Sequence, residues 1–119
     1  MLIEPIIPAE RYLSPVHLAR DADAPLAVCR LIFTVAEHDA EVISMIRGPR
    51  MDEETMDMRR LVIVVARRHL AVPFPRIGRA MNRDHSAVIR TFRNADTQWR
   101  EDRDFRLRAN RLLVKAGVA

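Results

Sequence analysis

The stretch Phe74-Pro-Arg-Ile-Gly-Arg-Ala-Met-Asn-Arg-Asp-His-Ser-Ala-Val-Ile-Arg-Thr-Phe-Arg93 constrains this chain more than any other, because it reads as two helices around one tight turn. Pro75 suits the first turn of a helix, where its missing N–H is not needed. Ile77, Ala80 and Met81 give that helix one apolar face. The turn falls at Met81-Asn-Arg-Asp84. Asn tolerates left-handed backbone angles, and Asp84 is a good N-cap whose carboxylate accepts free N–H groups of the next helix. Beyond it, Val88, Ile89, Phe92, Ala95 and Trp99 recur at spacings of three and four and so share one face. Ser86, Arg90, Arg93, Asn94 and Thr97 point elsewhere. The pattern is a helix-turn-helix whose second helix shows a polar, cationic surface, as a groove-reading helix does.

Charge is distributed to match. Residues 1–56 hold five arginines against ten carboxylates, a net −5, whereas residues 57–119 hold fourteen arginines and Lys115 against six carboxylates, a net +9; the whole chain carries +4. The basic half is the half with the motif, and positive charge clustered around a helix-turn-helix is the electrostatic footprint of a phosphate backbone.

The residues around the turn also resemble a known family. Ala66-Arg-Arg-His-Leu70, Pro75-Arg-Ile-Gly78 and above all Arg83-Asp-His-Ser-Ala-Val88 followed by Arg93 are similar to the C-terminal DNA-binding domain of the bacterial chromosomal replication initiator DnaA. The resemblance covers Leu61 to Trp99 closely and reaches back more weakly to Val35-Ala-Glu37. It implies an all-α helical bundle with a DnaA-type, Trp-repressor-like helix-turn-helix, standing without the ATPase part. No Gly-x-x-x-x-Gly-Lys-Ser/Thr loop occurs, and Lys115 is the only lysine. The chain departs from the family at three places. Asn82 stands where one or two glycines precede Arg-Asp-His, and Ser86-Ala87 where two threonines are common. Met51-Asp-Glu-Glu-Thr-Met-Asp57 replaces an arginine-rich loop, so acids there are expected to oppose the approach of phosphates.

The rest of the chain reads as support for this unit. At 119 residues with 49% apolar content it is one domain by size, able to bury a core. Residues 1–25 form an arm broken by Pro5, Pro8, Pro15 and Pro25, in which Ile3, Ile6, Ile7, Tyr12 and Leu18 are apolar enough to pack; Ser14 and Pro15 mark the start of one or two helical turns. Residues 26–119 are the helical domain. Leu26, Cys29, Ile32, Phe33, Ala36, Ala40, Val42, Ile43 and Ile46 follow helical spacing, with a break expected near His38-Asp-Ala40 and a stop at Gly48-Pro49. The next helix runs from Asp52 or Asp57 to Leu70, with acids in its first turn and Met58, Leu61, Val62, Val65, Ala66 and Leu70 as its buried stripe. A final helix over Arg100 to Lys115 turns Phe105, Ala109, Leu112, Leu113 and Ala116 inward and ends at Gly117.

Function follows from the polar residues. Asp84, His85, Ser86 and Ala87, at the mouth of the second helix, are the candidates for base readout: Asp84 as acceptor from a cytosine amino group, His85 and Ser86 toward thymine and its neighbours. The resemblance implies the same roles for the matching Asp, His and hydroxyl positions, places Arg83 close to the DNA backbone and sends Arg60 into the minor groove. Arg76, Arg79, Arg90 and Arg93 are candidates for phosphate contacts, with Arg67 and Arg68 beside them. The expected partner is therefore double-stranded DNA, in control of replication initiation or transcription. The alternative is a protein-interaction module that keeps the fold and binds a replication or regulatory partner; the partners considered besides DNA are a second copy of the chain and a replication protein. Catalysis is not expected: Asp84, His85 and Ser86 are consecutive on a helix, about 100 degrees apart, and cannot form a relay in their own segment. No cofactor or metal is expected, since His17, His38, His69 and His85 lack ligand spacing and Cys29 is the one cysteine. That thiol reads as a small buried hydrophobe in a reducing compartment, and no apolar run nears the ~20 residues that span a bilayer. A cytoplasmic, nucleoid-associated protein is the expectation.

Overall fold

The structure, a computed structural model, describes residues 2–5, 8 and 12–118. Among these residues it is all-helical, with seven α-helices: α1 (Pro15–Ala22), α2 (Leu26–Val35), α3 (Ala40–Arg47), α4 (Glu53–Val64), α5 (Phe74–Met81), α6 (His85–Glu101) and α7 (Arg103–Ala116), and one π-helical turn, Val65–His69, that continues α4. Ile6 and Ile7 of the arm lie outside the described residues. No described helix is long and apolar enough to cross a membrane.

Short polar side chains start most of the helices. Ser14, Asp39, Asp52, Asp84 and Asp102 are the N-caps of α1, α3, α4, α6 and α7, each with its side chain accepting a backbone N–H of the first turn. The break between α2 and α3 falls where it is expected. Glu37 and His38 both take left-handed backbone angles, φ 54 and 59, and the His38 ring packs edge-on against Phe33 with centroids 5.8 Å apart.

Helix α4 is the centre of the bundle and packs against α2, α3, α6 and α7. Leu61, Val62, Ile63, Val64, Val65 and Ala66 are consequently all buried, on every side of the helix. The expected stripe omits Ile63 and Val64, because a one-faced pattern presumes a helix with a solvent side. The π turn closes this helix. The Leu70 N–H bonds the Val65 carbonyl five residues back at 3.3 Å, and Ala71 reverses the chain at φ 53 ahead of Pro73. The remaining core comes from Leu18 and Ala22 of α1, Val28, Leu31, Ile32 and Phe33 of α2, Ile43 and Ile46 of α3, and Phe105, Ala109 and Leu112 of α7. Cys29 is fully buried there, and burial pushes its thiol up to about 12, partly offset by the charge of Arg47.

Candidate nucleic-acid interface

Three residues, Asn82, Arg83 and Asp84, join α5 to α6. Ile77, Ala80 and Met81 on one side and Val88 and Ala95 on the other are fully buried, so the two helices are clamped by their apolar faces. Asn82 ends α5 in the left-handed region at φ 57 and ψ 43. The Arg83 N–H then returns to the Gly78 carbonyl at 2.9 Å. Asp84 has extended angles, and its Oδ1 accepts the Ala87 N–H at 2.8 Å. That bond holds its carboxyl below the usual range. Oδ2 of Asp84 has no partner among the described residues, which leaves one acceptor facing outward.

The first turn of α6 is open. His85 and Ser86 are exposed and Ala87 is half-buried. Arg90, Arg93 and Asn94 are exposed further along α6, and Arg76 on α5; none of these three arginines has an ion-pair or hydrogen-bond partner among the described residues.

Three other candidate arginines are engaged by groups of the protein itself. Arg60 is held by Glu53 at 2.6 Å and Asp57 at 3.7 Å, and only 14% of its side chain is exposed. The Arg83 guanidinium, half-buried, donates to the carbonyls of Gly48 at 2.6 Å, Met81 at 3.1 Å and Arg47 at 3.3 Å. Burial, and then the charge of Arg47, pushes its pKa down. Arg79 donates to the Ala22 carbonyl at 3.0 Å and lies 4.0 Å from the carboxylate of Asp23, tying α5 to the end of α1. Arg67 and Arg68 are likewise occupied. The first lies over the Phe74 ring at 4.5 Å; the second lies over Trp99 at 3.6 Å and pairs with Asp96 at 2.6 Å.

Arg60, Arg83, Ala87 and Arg90 come together on one cleft of about 290 Å³ between α4 and α6, floored by Ile63, Met81 and Val88 and edged by Met51 and Met56. Arg76, Arg79 and Arg93 do not line it. The acidic segment beside the cleft is largely neutralised: Asp52 pairs with Arg50 at 2.8 Å, Glu53 with Arg60, and Asp57 with Arg108 at 2.6 Å.

Two supporting arginines are absent from the expected set. Arg47 is 2% exposed and donates from Nε to the Ala80 carbonyl at 2.8 Å. Arg59 is 6% exposed and donates to the carbonyls of Ile46 at 2.9 Å, Gly48 at 2.9 Å and Met45 at 3.0 Å, and to that of Arg50. It caps the end of α3. Burial and the nearby Arg83 charge push its pKa down to about 10, so it remains a cation at neutral pH. A signal for both existed in the spacing: Arg47 lies four residues after Ile43, and Arg59 three and four before Val62 and Ile63, so each sits on an apolar face.

Among the described residues, no group of three or more His, Cys, Asp or Glu side chains could hold a metal ion. Compared with family models, curated proteins and solved structures, the chain matches none.

Proposed function

We propose that the protein binds double-stranded DNA sequence-selectively, with α6 as the reading helix. The observation that carries this is the division of labour on α6. Val88 and Ala95 anchor the helix in the core, while Asp84, His85 and Ser86 at its N-terminal mouth and Arg90 and Arg93 along it face solvent, the cations without internal partners. Such a helix presents acceptors and donors to base edges and charge to phosphates. The likeness of Arg83-Asp-His-Ser-Ala-Val88 to the DnaA motif supports a target resembling the initiator's box, and a role in replication initiation or transcription on the nucleoid.

Within this reading the roles are refined. Asp84, His85, Ser86 and Ala87 read bases; Arg76, Arg90 and Arg93 meet phosphates. Arg60 reaches DNA only after exchanging Glu53 for a phosphate. Arg83 shapes the turn, since carbonyls of the protein already occupy its donors, and Arg79 ties α5 to α1 through Nε while the rest of its guanidinium makes no hydrogen bond among the described residues. Titration of labelled duplexes with and without an initiator-type box, at two salt concentrations, tests the proposal. A preference for the box together with a steep salt dependence is the expected result.

A further inference from the structure

The N-terminal arm reaches the α5–α6 turn, 78 residues away along the chain. The Asn82 side chain, 1% exposed, pairs with both groups of one arm residue: its Oδ1 accepts the Glu4 N–H at 2.8 Å and its Nδ2 donates to the Glu4 carbonyl at 3.1 Å. The same Nδ2 donates to the Arg47 carbonyl at 3.2 Å, so both amide hydrogens are used. Next to it, Leu2 forms an antiparallel bridge with Arg83. At the other end of the arm, Tyr12 is 8% exposed and its hydroxyl accepts from Arg47 Nη1 at 3.2 Å. Arg47 is thus the common post: its guanidinium holds the last carbonyls of α5, at Ala80 and Arg79, as well as Tyr12, while its own carbonyl holds Asn82.

Backbone needs alone do not explain Asn82. A left-handed residue before an N-cap is met at least cost by glycine. Asparagine adds a side chain that copies a peptide group and takes hold of the arm. The grip reads the arm's backbone, not the Glu4 carboxylate. Because Asn82 lies two residues before the N-cap of α6, its backbone angles set the direction in which His85, Ser86 and Ala87 leave the turn.

We infer that the arm segment at Leu2 and Glu4 is a strap that positions the first turn of α6 for DNA reading, with Asn82 as its positioning residue and Tyr12, held by Arg47, as a second anchor. The inference rests on the function proposed above. It implies that an agent competing for the arm, or cutting it, loosens DNA readout without unfolding the bundle.

The test uses three variants of the full chain. Asn82→Gly keeps the left-handed turn and removes the grip. Tyr12→Phe removes only the hydroxyl acceptor at the far anchor, and Glu4→Ala leaves the backbone pairing intact. Amide hydrogen exchange without DNA is read at Ala87 and Val88, whose N–H groups bond to Asp84, and at Val62 and Val64 in the central helix as a gauge of global opening. Exchange at Ala87 and Val88 is expected to rise about tenfold in Asn82→Gly, the factor that one net hydrogen bond sets. Tyr12→Phe shifts it in the same direction, Glu4→Ala has no effect, and Val62 and Val64 stay unchanged. The preference of Asn82→Gly for a box-containing duplex over a scrambled one falls in step. Unchanged exchange at Ala87 and Val88 in both Asn82→Gly and Tyr12→Phe overturns the strap. So does raised exchange with the duplex preference of the unmodified chain retained. If the unmodified chain shows no duplex preference while exchange still rises in the variants, the DNA-reading role of the strap falls together with the proposed function, and the positioning of α6 alone stands.

Discussion

The carbonyl oxygen of Arg83 lies 2.4 Å from where a Cβ on Gly78 would sit, too close for any side chain. Gly78 lies inside α5, where glycine is otherwise unfavourable, and the close return of the turn over the helix is what requires it. Gly78→Ala must push the Arg83 peptide outward and break its bond to the Gly78 carbonyl. A loss of roughly 1–3 kcal/mol is expected, the usual cost of overpacking a tight contact. Urea unfolding of the variant checks it; a stability within a few tenths of a kcal/mol of the unmodified chain would contradict this account of the turn.

Arg59 is expected to be among the costliest side chains to remove. Its guanidinium satisfies the carbonyls at the end of α3, and Arg59→Met, which preserves most of the volume, leaves those of Ile46 and Arg50 without a donor, while Gly48 keeps Arg83 and Met45 keeps the Gly48 N–H. Each such orphan costs roughly 1–3 kcal/mol, so a total of about 3 kcal/mol is a conservative expectation. Chemical denaturation measures it. A neutral substitution would mean that water reaches those carbonyls.

Much of this arrangement was legible in the sequence, and what was not has physical reasons. Caps announce themselves locally, so Ser14 and Asp84 mark helix starts and Gly117 with its φ of 67 ends α7 as read, whereas α7 starts at Arg103 on the Asp102 cap and not at Arg100. Periodicity found the inward faces of α5 and α7, but it presumes one wet side, and Ile63 and Val64 of the enclosed α4 escaped it. The π turn at Val65–His69 has no residue-level signature here. Arg47 and Arg59 sit on apolar faces where charge is rare, and the partners that allow it are carbonyls of α5, of α3 and of the α3–α4 connection, which no local pattern displays. For the interface, sequence located the turn and its polar mouth. It did not show that Arg60, Arg79 and Arg83 are held internally, nor that Asn82 grips an arm distant in sequence.

Asp52 couples stability to acid pH. The hydrogen bond from Arg50, then those from the Thr55 hydroxyl and N–H, hold its carboxyl down at about 2 against an ordinary 3.8. A depressed carboxyl contributes stability that is complete above its unfolded value and is lost as pH falls through the folded one. The window is therefore pH 4 to 2. Asp52→Asn keeps an acceptor for Thr55 but cannot titrate, so its stability is expected to be lower at neutral pH and to converge on that of the unmodified chain near pH 2. Thermal melts across this range check the sign, and parallel curves would contradict it.

On the proposed reading Glu53 is the acid that competes most directly with DNA, since it holds Arg60 at 2.6 Å while remaining 80% exposed itself. Glu53→Gln removes the charge that holds Arg60 most closely and leaves Asp57 at 3.7 Å as its remaining ion-pair partner. Binding to any duplex is expected to tighten several-fold near 0.01 M salt, where the Debye length is roughly 30 Å, and much less at 0.15 M, where it is about 8 Å. Fluorescence anisotropy at the two salt concentrations decides; unchanged affinity at low salt would remove Arg60 from the interface.

The central claim is that α6 reads duplex DNA, and affinity for paired duplexes as a function of salt tests it most directly. The unmodified chain is expected to prefer an initiator-type box over its scrambled counterpart by at least about tenfold, the discrimination of one or two good base contacts. Log affinity should fall linearly with log salt, and Arg90→Ala and Arg93→Ala should each flatten that slope by about one unit while leaving the preference intact. Equal affinity for both duplexes at moderate salt, or a slope untouched by removing Arg90 and Arg93, would contradict it.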